Sequence, residues 1–322
     1  MNDTFDIITI GGATVDVFVD TGRKIAKGDY IRIPIGSKNL VKNIHFDTGG
    51  GGTNVACAMS KLGFRVAIIT KIGNDHNSVL ILNALKKFGC DTKFVVKEVG
   101  SSDYSIILDA MGRDRTVLTI KHMNDRLRFE ELRLSKIRTE WFYFCTMMGE
   151  SLKTQIRLVE HAQKKGIRIV YNCSSYIIEK KEEGFMKILK SARVLIVNRK
   201  EARLLTGLDD IEEMADWIIA LGPEVVAITD GPEGAYAFKS DLGYFIRPHK
   251  VEVVENTGAG DSFGAAFMAG YIRQGDIRYA LELGTTEAES VIQHLGAKNR
   301  LLDFNEIEAR IKKDTHEIVR LR

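Results

Sequence analysis

Val194-Leu195-Ile196-Val197-Asn198 and Val225-Val226-Ala227-Ile228-Thr229 are two short, almost wholly apolar runs, and between them Ile211 to Leu221 sets Met214, Trp217 and Ile218 at helical spacing. Runs with so little polar alternation suit strands covered on both faces. Strand, helix and strand in that order read as a parallel pair joined by a helical crossover.

Working outward, the pattern recurs. Phe5 to Ile10, Val66 to Thr70, Trp141 to Cys145 and Ile167 to Asn172 are further runs of this kind, and Thr154 to Lys165 puts Ile156, Val159 and Ala162 on one helical side. The expected fold class is α/β, with a doubly wound, mainly parallel sheet. Two stretches, about 13–47 and 100–124, break the alternation: Tyr30 to Ile35 and Tyr104 to Leu108 are strand-rich or alternate with period two. They read as excursions that could form a lid. Asp261 to Arg273, with Phe263, Phe267 and Tyr271 at helical spacing, and Ile277 to Leu295 make the C-terminal third helical. Without a repeat or linker, the expectation is one domain over 1–322.

Bulk properties narrow the function. The 322 residues are 44% hydrophobic and 28% charged, a globular composition. A net charge of +3, in short clusters such as Lys164-Lys165, fits solvated helix faces better than a nucleic-acid stripe. Cys57, Cys90, Cys145 and Cys173 are far apart and complete no zinc pattern, so reduced core thiols are expected. No apolar stretch approaches the ~20 residues that span a bilayer, and no leader is evident, so no membrane association and a cytoplasmic location are expected.

Two glycine clusters carry candidate chemistry. In Glu255-Asn256-Thr257-Gly258-Ala259-Gly260-Asp261-Ser262-Phe263 a small-residue loop runs into a helix, whose first N–H groups and positive dipole end can hold an anion. Asp261 would then face a transferring phosphoryl group and its acceptor. A first-turn aspartate can equally be a plain cap. Thr48-Gly49-Gly50-Gly51-Gly52-Thr53-Asn54 also precedes a helix, and its backbone admits close approach of a ligand or simply makes a turn. Asn198-Arg199-Lys200-Glu201, after a strand, fits either a water shell around magnesium or a helix cap. Thr229-Asp230-Gly231-Pro232-Glu233-Gly234 could cradle a nucleotide or begin a hairpin. Neither G-x-x-x-x-G-K-[ST] nor G-x-G-x-x-G occurs at the first-strand turn Gly11 to Asp16, which disfavours P-loop enzymes and nicotinamide-dependent oxidoreductases.

In this order the clusters resemble the ribokinase-like (PfkB) carbohydrate kinase family over essentially the whole chain, Gly49 to Asn54 matching its N-terminal signature and Asn256 to Phe263 its C-terminal one. The resemblance implies a three-layer core with a β-rich lid, ATP as donor with Mg²⁺, and phosphorylation of an alcohol on a sugar or nucleoside. It makes Asp261 the base and Gly258, Ala259 and Gly260 the anion hole. Asp16, Gly50, Gly51 and Asn54 fall on the substrate side. Asn198, Glu201, Thr229, Gly231 and Gly234 fall on the nucleotide side, with Glu201 near Mg²⁺ through water. Glu255 stands where many relatives have Asp, which counts against a monovalent-cation requirement, and Gly51 stands where several have Lys, which favours a neutral substrate. The leading expectation is an ATP-dependent sugar kinase. A nucleoside kinase and a catalytically silent ligand-binding relative are the alternatives, and pairing of lid strands makes a homodimer a candidate assembly.

Overall fold

Residues 194–198 and 225–229 pair in parallel from Val194 opposite Val225 to Asn198 opposite Thr229. The computed structural model describes residues 4–21, 26–27, 30–109, 116–180 and 183–322.

In chain order the strands are β1 (Phe5–Ile10), β2 (Thr14–Asp20), β3 (Ala26–Lys27), β4 (Tyr30–Ile31), β5 (Asn43–Gly49), β6 (Val66–Ile72), β7 (Val95–Lys97), β8 (Asp103–Asp109) and β9 (Thr116–Ile120). There follow β10 (Thr139–Cys145), β11 (Arg168–Asn172), β12 (Val194–Asn198), β13 (Val225–Thr229), β14 (Ala235–Lys239), β15 (Leu242–Arg247) and β16 (Glu317–Arg320). The helices are α1 (Gly51–Lys61), α2 (His76–Lys87), α3 (Gly149–Lys165), α4 (Ser175–Lys180), α5 (Glu183–Ser191), α6 (Arg199–Thr206), α7 (Ile211–Leu221), α8 (Ala259–Gln274), α9 (Ile277–Ile292) and α10 (Phe304–Lys313).

One ten-stranded sheet runs β16-β15-β14-β13-β12-β11-β10-β1-β6-β7. It is parallel from β13 through β7 and antiparallel at the β14–β16 end. The apolar runs are explained by what lies on each face. Val194, Ile196, Val225 and Ala227 join one core with α1, α8 and α9, whereas Leu195, Val197, Val226 and Ile228 join a second core with α3, α5 and α7. Successive side chains of a strand point to opposite faces, so a strand between two helical layers is apolar at every step. Each such side chain contributes roughly 1.5–3 kcal/mol by leaving water.

The two excursions meet in a second sheet of order β5-β2-β8-β9. Its β2 is antiparallel to β5 and parallel to β8. Two boundaries differ from the sequence reading. Of Tyr30 to Ile35 only Tyr30–Ile31 is strand, because Pro34 brings no N–H and a turn closes on its carbonyl through Ser37 Oγ at 2.7 Å. Helix α9 stops at Ile292 rather than Leu295, and the chain turns at Gly296 with φ +88°. All four cysteines are buried and free. Among the described residues no helix is long and apolar enough to cross a membrane.

Candidate active site

The carboxyl ends of β10, β11, β12 and β13 open into a cavity of about 360 Å³ bounded on the far side by the starts of α1 and α8. Open α/β sheets present ligands at this edge.

Helix α8 begins at Gly258, whose φ of +82° suits glycine, and a Cβ there would overlap the methyl of Ala297. No side chain caps this end. The Ala259 N–H reaches the Asn256 carbonyl at 3.3 Å and the Ser262 N–H reaches the Gly258 carbonyl at 2.8 Å. Helix geometry leaves the N–H groups of Gly260 and Asp261 without an intrahelical acceptor. A Cβ on Gly260 would meet nothing within 4 Å, so the approach is open.

Asp261 sits half-buried in this first turn and lines the cavity. Its Oδ2 accepts from Asn54 Nδ2 at 2.8 Å, joining two glycine clusters 207 residues apart. Burial pushes the Asp261 carboxyl up, the Asn54 hydrogen bond and the charge of Lys298 pull it back, and Asp16 adds to the rise. The net direction is upward. Asp16, buried in β2, is likewise raised, first by burial, with Lys298 and the Thr14 hydroxyl acting against it. Its Oδ1 accepts from Thr14 Oγ1 at 3.1 Å, and Gly49 must be glycine because a Cβ would fall on Asp16 Oδ2.

The glycine run serves packing as well as access. Gly50 has φ +90°, and its Cβ position lies 2.5 Å from the Gly12 carbonyl oxygen. Gly51 faces the cavity, and a Cβ there would stand 3.4 Å from Asp261 Oδ1. Asn54 is buried one turn into α1.

On the other wall, Asn198 and Glu201 form a capping box on α6, each side chain taking the other's N–H at 2.9 Å. Glu201 Oε1 also takes the Ser175 N–H at 2.9 Å. Both carboxylate oxygens thus hold backbone, yet Glu201 lines the cavity with Asn198 and Thr229, and burial raises its pKa. Gly231 and Gly234 are not among the lining residues: Gly231 opens a 3₁₀ turn beside empty space, and Gly234, at φ +130°, packs against the Ile246 carbonyl inside the hairpin. Asp16 and Asn54 are not among the lining residues; Asn54 sits behind the wall, bonded to Asp261 and Lys298.

Sequence reading missed two cations. Lys298 is buried, and its Nζ donates to Asn54 Oδ1 at 2.7 Å and to the Thr48 carbonyl. Lys121, just after β9, reaches the cavity from the small sheet, its Nζ 4.8 Å from the Tyr176 ring centroid. Asn172, which ends β11, and the following Cys173 and Ser174 are cavity wall.

Comparison with known proteins supplies the family. A model described as pfkB family carbohydrate kinase matches residues 20–303. The chain belongs to the pfkB family of carbohydrate kinases. The resemblance read from the motifs therefore holds, and with it the kinase class. An uncharacterized sugar kinase of Archaeoglobus fulgidus is 29% identical over 76% of this chain and 97% of its own. The ribokinase of Bacillus subtilis is 27% identical over 94% of this chain and 98% of its own. Among solved structures, an E. coli ribokinase II candidate in complex with ATP and Mg²⁺ superposes with a TM-score of 0.84 at 17% identity, covering 96% of this chain and all of that one. At that identity the pfkB likeness to this structure is one of fold, and the three-layer architecture with a small second sheet is shared.

Proposed function

We propose that the protein transfers the γ-phosphoryl group of ATP to a hydroxyl of a small, neutral sugar. The observation that carries this reading is the 2.8 Å hydrogen bond from Asn54 to Asp261, which sets a carboxylate between an unobstructed helix N-terminus and a glycine loop. Phosphoryl transfer needs in-line positioning, charge stabilisation and a place for the acceptor's proton.

In this reading Asp261 takes the proton of the attacking hydroxyl. Its raised pKa makes it a better base than an exposed aspartate, provided it is ionised when the substrate binds. The helix start at Gly258, Ala259 and Gly260 receives the charge of the migrating group, through the N–H groups of Gly260 and Asp261 that no helix carbonyl takes. Gly50 and Gly51 hold sugar hydroxyls by exposing backbone, with Asp16 and Asn54 behind them on the substrate side. Asn198 and Thr229 face the nucleotide phosphates, and the turn from Gly231 to Gly234 shapes the nucleotide side. Mg²⁺, when bound, neutralises phosphate charge. Because both oxygens of Glu201 already hold N–H groups, that residue would orient the ion's water shell rather than replace it.

Relatives named as sugar kinases and ribokinases support the acceptor class, and the neighbour solved with ATP and Mg²⁺ supports the donor. The absence of a lysine at Gly51, together with the two protein oxygens that hold the buried Lys298 ammonium, favours an uncharged acceptor. The small sheet acts as a lid, carrying Asp16 on β2 and bringing Lys121 over the phosphates from the end of β9.

ATP consumption measured against ribose, fructose, 2-keto-3-deoxygluconate and a nucleoside panel tests the assignment. Turnover with a sugar is expected. Turnover confined to nucleosides would replace the acceptor, and ATP binding without turnover on any alcohol would mark a silent relative.

A further inference from the structure

Away from the cavity, three ligand-type side chains converge from separate elements. His249 follows β15, Glu289 lies on α9, and His316 immediately precedes β16. One ligand atom from each can be chosen so that all lie within 4.8 Å of one another. His249 Nδ1 is 3.2 Å from Glu289 Oε2, and His316 Nε2 is 3.1 Å from Glu289 Oε1.

We propose that His249, Glu289 and His316 form a binding site for a zinc-type divalent transition-metal ion, which fastens β16 and the segment leading to the anion hole onto α9. Two imidazoles and a carboxylate are a donor set that zinc favours, and hard cations such as Mg²⁺ do not seek imidazole. Bonds of about 2.0–2.1 Å in a tetrahedron place neighbouring ligand atoms roughly 3.3 Å apart, close to the two nitrogen–oxygen separations here. The fourth position is open to water because the His249 side chain is 29% exposed, while His316 is 2% exposed. On the far side of His249, Nε2 lies 3.5 Å from Asp314 Oδ1, the carboxylate partner that commonly orients a metal-bound imidazole.

A plain hydrogen-bonded cluster would make the same contacts, and titration with Zn²⁺ separates the two. The imidazole rings lie 4.0 Å apart by their centroids, both against the Glu289 carboxylate, with Asp314 on the outer side of His249. His316 Nδ1 is a buried nitrogen without a partner among the described residues. A cation would occupy the space between His316 Nε2, His249 Nδ1 and the Glu289 carboxylate. The rings must part slightly to admit it.

The test uses tag-free, chelator-treated full-length protein without nucleotide, so that it reads independently of kinase activity. Calorimetric titration with Zn²⁺ is expected to show one saturable equivalent, and Zn²⁺ is expected to raise the melting temperature. The intense visible bands of four-coordinate Co²⁺ are expected when Co²⁺ replaces it. Both His249→Ala, at a partly exposed side chain, and Glu289→Gln should weaken Zn²⁺ binding by about 10-fold or more and abolish the melting shift. Absence of a saturable equivalent, the weak spectrum of six-coordinate Co²⁺, or parental affinity in both variants would each overturn the assignment.

Discussion

The Lys298 ammonium lies 2.7 Å from Asn54 Oδ1, and the opposite end of the same amide donates to Asp261 Oδ2 at 2.8 Å. An ammonium only donates, so it fixes which way the amide faces and thereby aims the NH₂ at the carboxylate.

Replacing Lys298 with Met should lower kcat/KM by about 10- to 100-fold, the cost of a hydrogen bond to a charged group. Its charge holds the Asp16 and Asp261 carboxyls down, so their pKa values rise when it is removed. A base must be deprotonated to act; the acid limb of the pH–rate profile should therefore move to higher pH. An acid limb in its parental place would show that the lysine only supports the fold.

Asp261→Asn should cut turnover by about 10²–10⁴-fold while leaving ATP affinity near normal, the usual share of a general base. Because burial already penalises the ionised carboxylate, the neutral amide should melt at the same temperature or higher. Parental turnover in this variant would remove Asp261 from the role of base.

At Gly260 the added methyl of alanine meets nothing in the protein but enters the space above the helix end. Gly260→Ala should therefore keep or slightly raise stability, by about 0.5–1 kcal/mol for alanine over glycine in a helix. It should also slow phosphoryl transfer on the order of 10²-fold by displacing the anion. Unchanged kinetics would mean that no phosphate comes near this residue.

Hydrogen exchange of β2, β5, β8 and β9 should slow when sugar and nucleotide are both present, as closure over a ligand requires. Equal exchange in both conditions would leave the second sheet a fixed wall.

Glu287 on α9 is fully buried, and burial drives its pKa up to about 8 although its oxygens accept the Leu302 N–H. Its folded pKa lies above the ordinary 4.5, so the stability it lends is full below that value and fades as pH rises through about 8. Denaturant titrations across pH should show the parent weakening relative to Glu287→Gln between about pH 4.5 and 8. Parallel curves would contradict this.

The main sheet was legible because strands between two helical layers are apolar at nearly every position, as β12 and β13 are. The glycine loops were legible because short-range chemistry marks them. Asn198 and Glu201 form the helix cap, one of the two readings offered for them, and also line the cavity. Lys298 was illegible for a physical reason: Gly296-Ala297-Lys298-Asn299 looks like an exposed turn, and the groups that bury its ammonium lie 244 and 250 residues earlier. The only local hint was the apolar Leu295 and Leu301-Leu302 around it.

Gly258 presses on Ala297, and the next residue is the lysine that grips the glycine loop. In the proposed assignment, donor-side and acceptor-side residues thus lean on one three-residue turn. A side chain larger than methyl at position 297 would be felt by both substrates together, so affinity for ATP and choice of alcohol are mechanically yoked and would be slow to diverge separately.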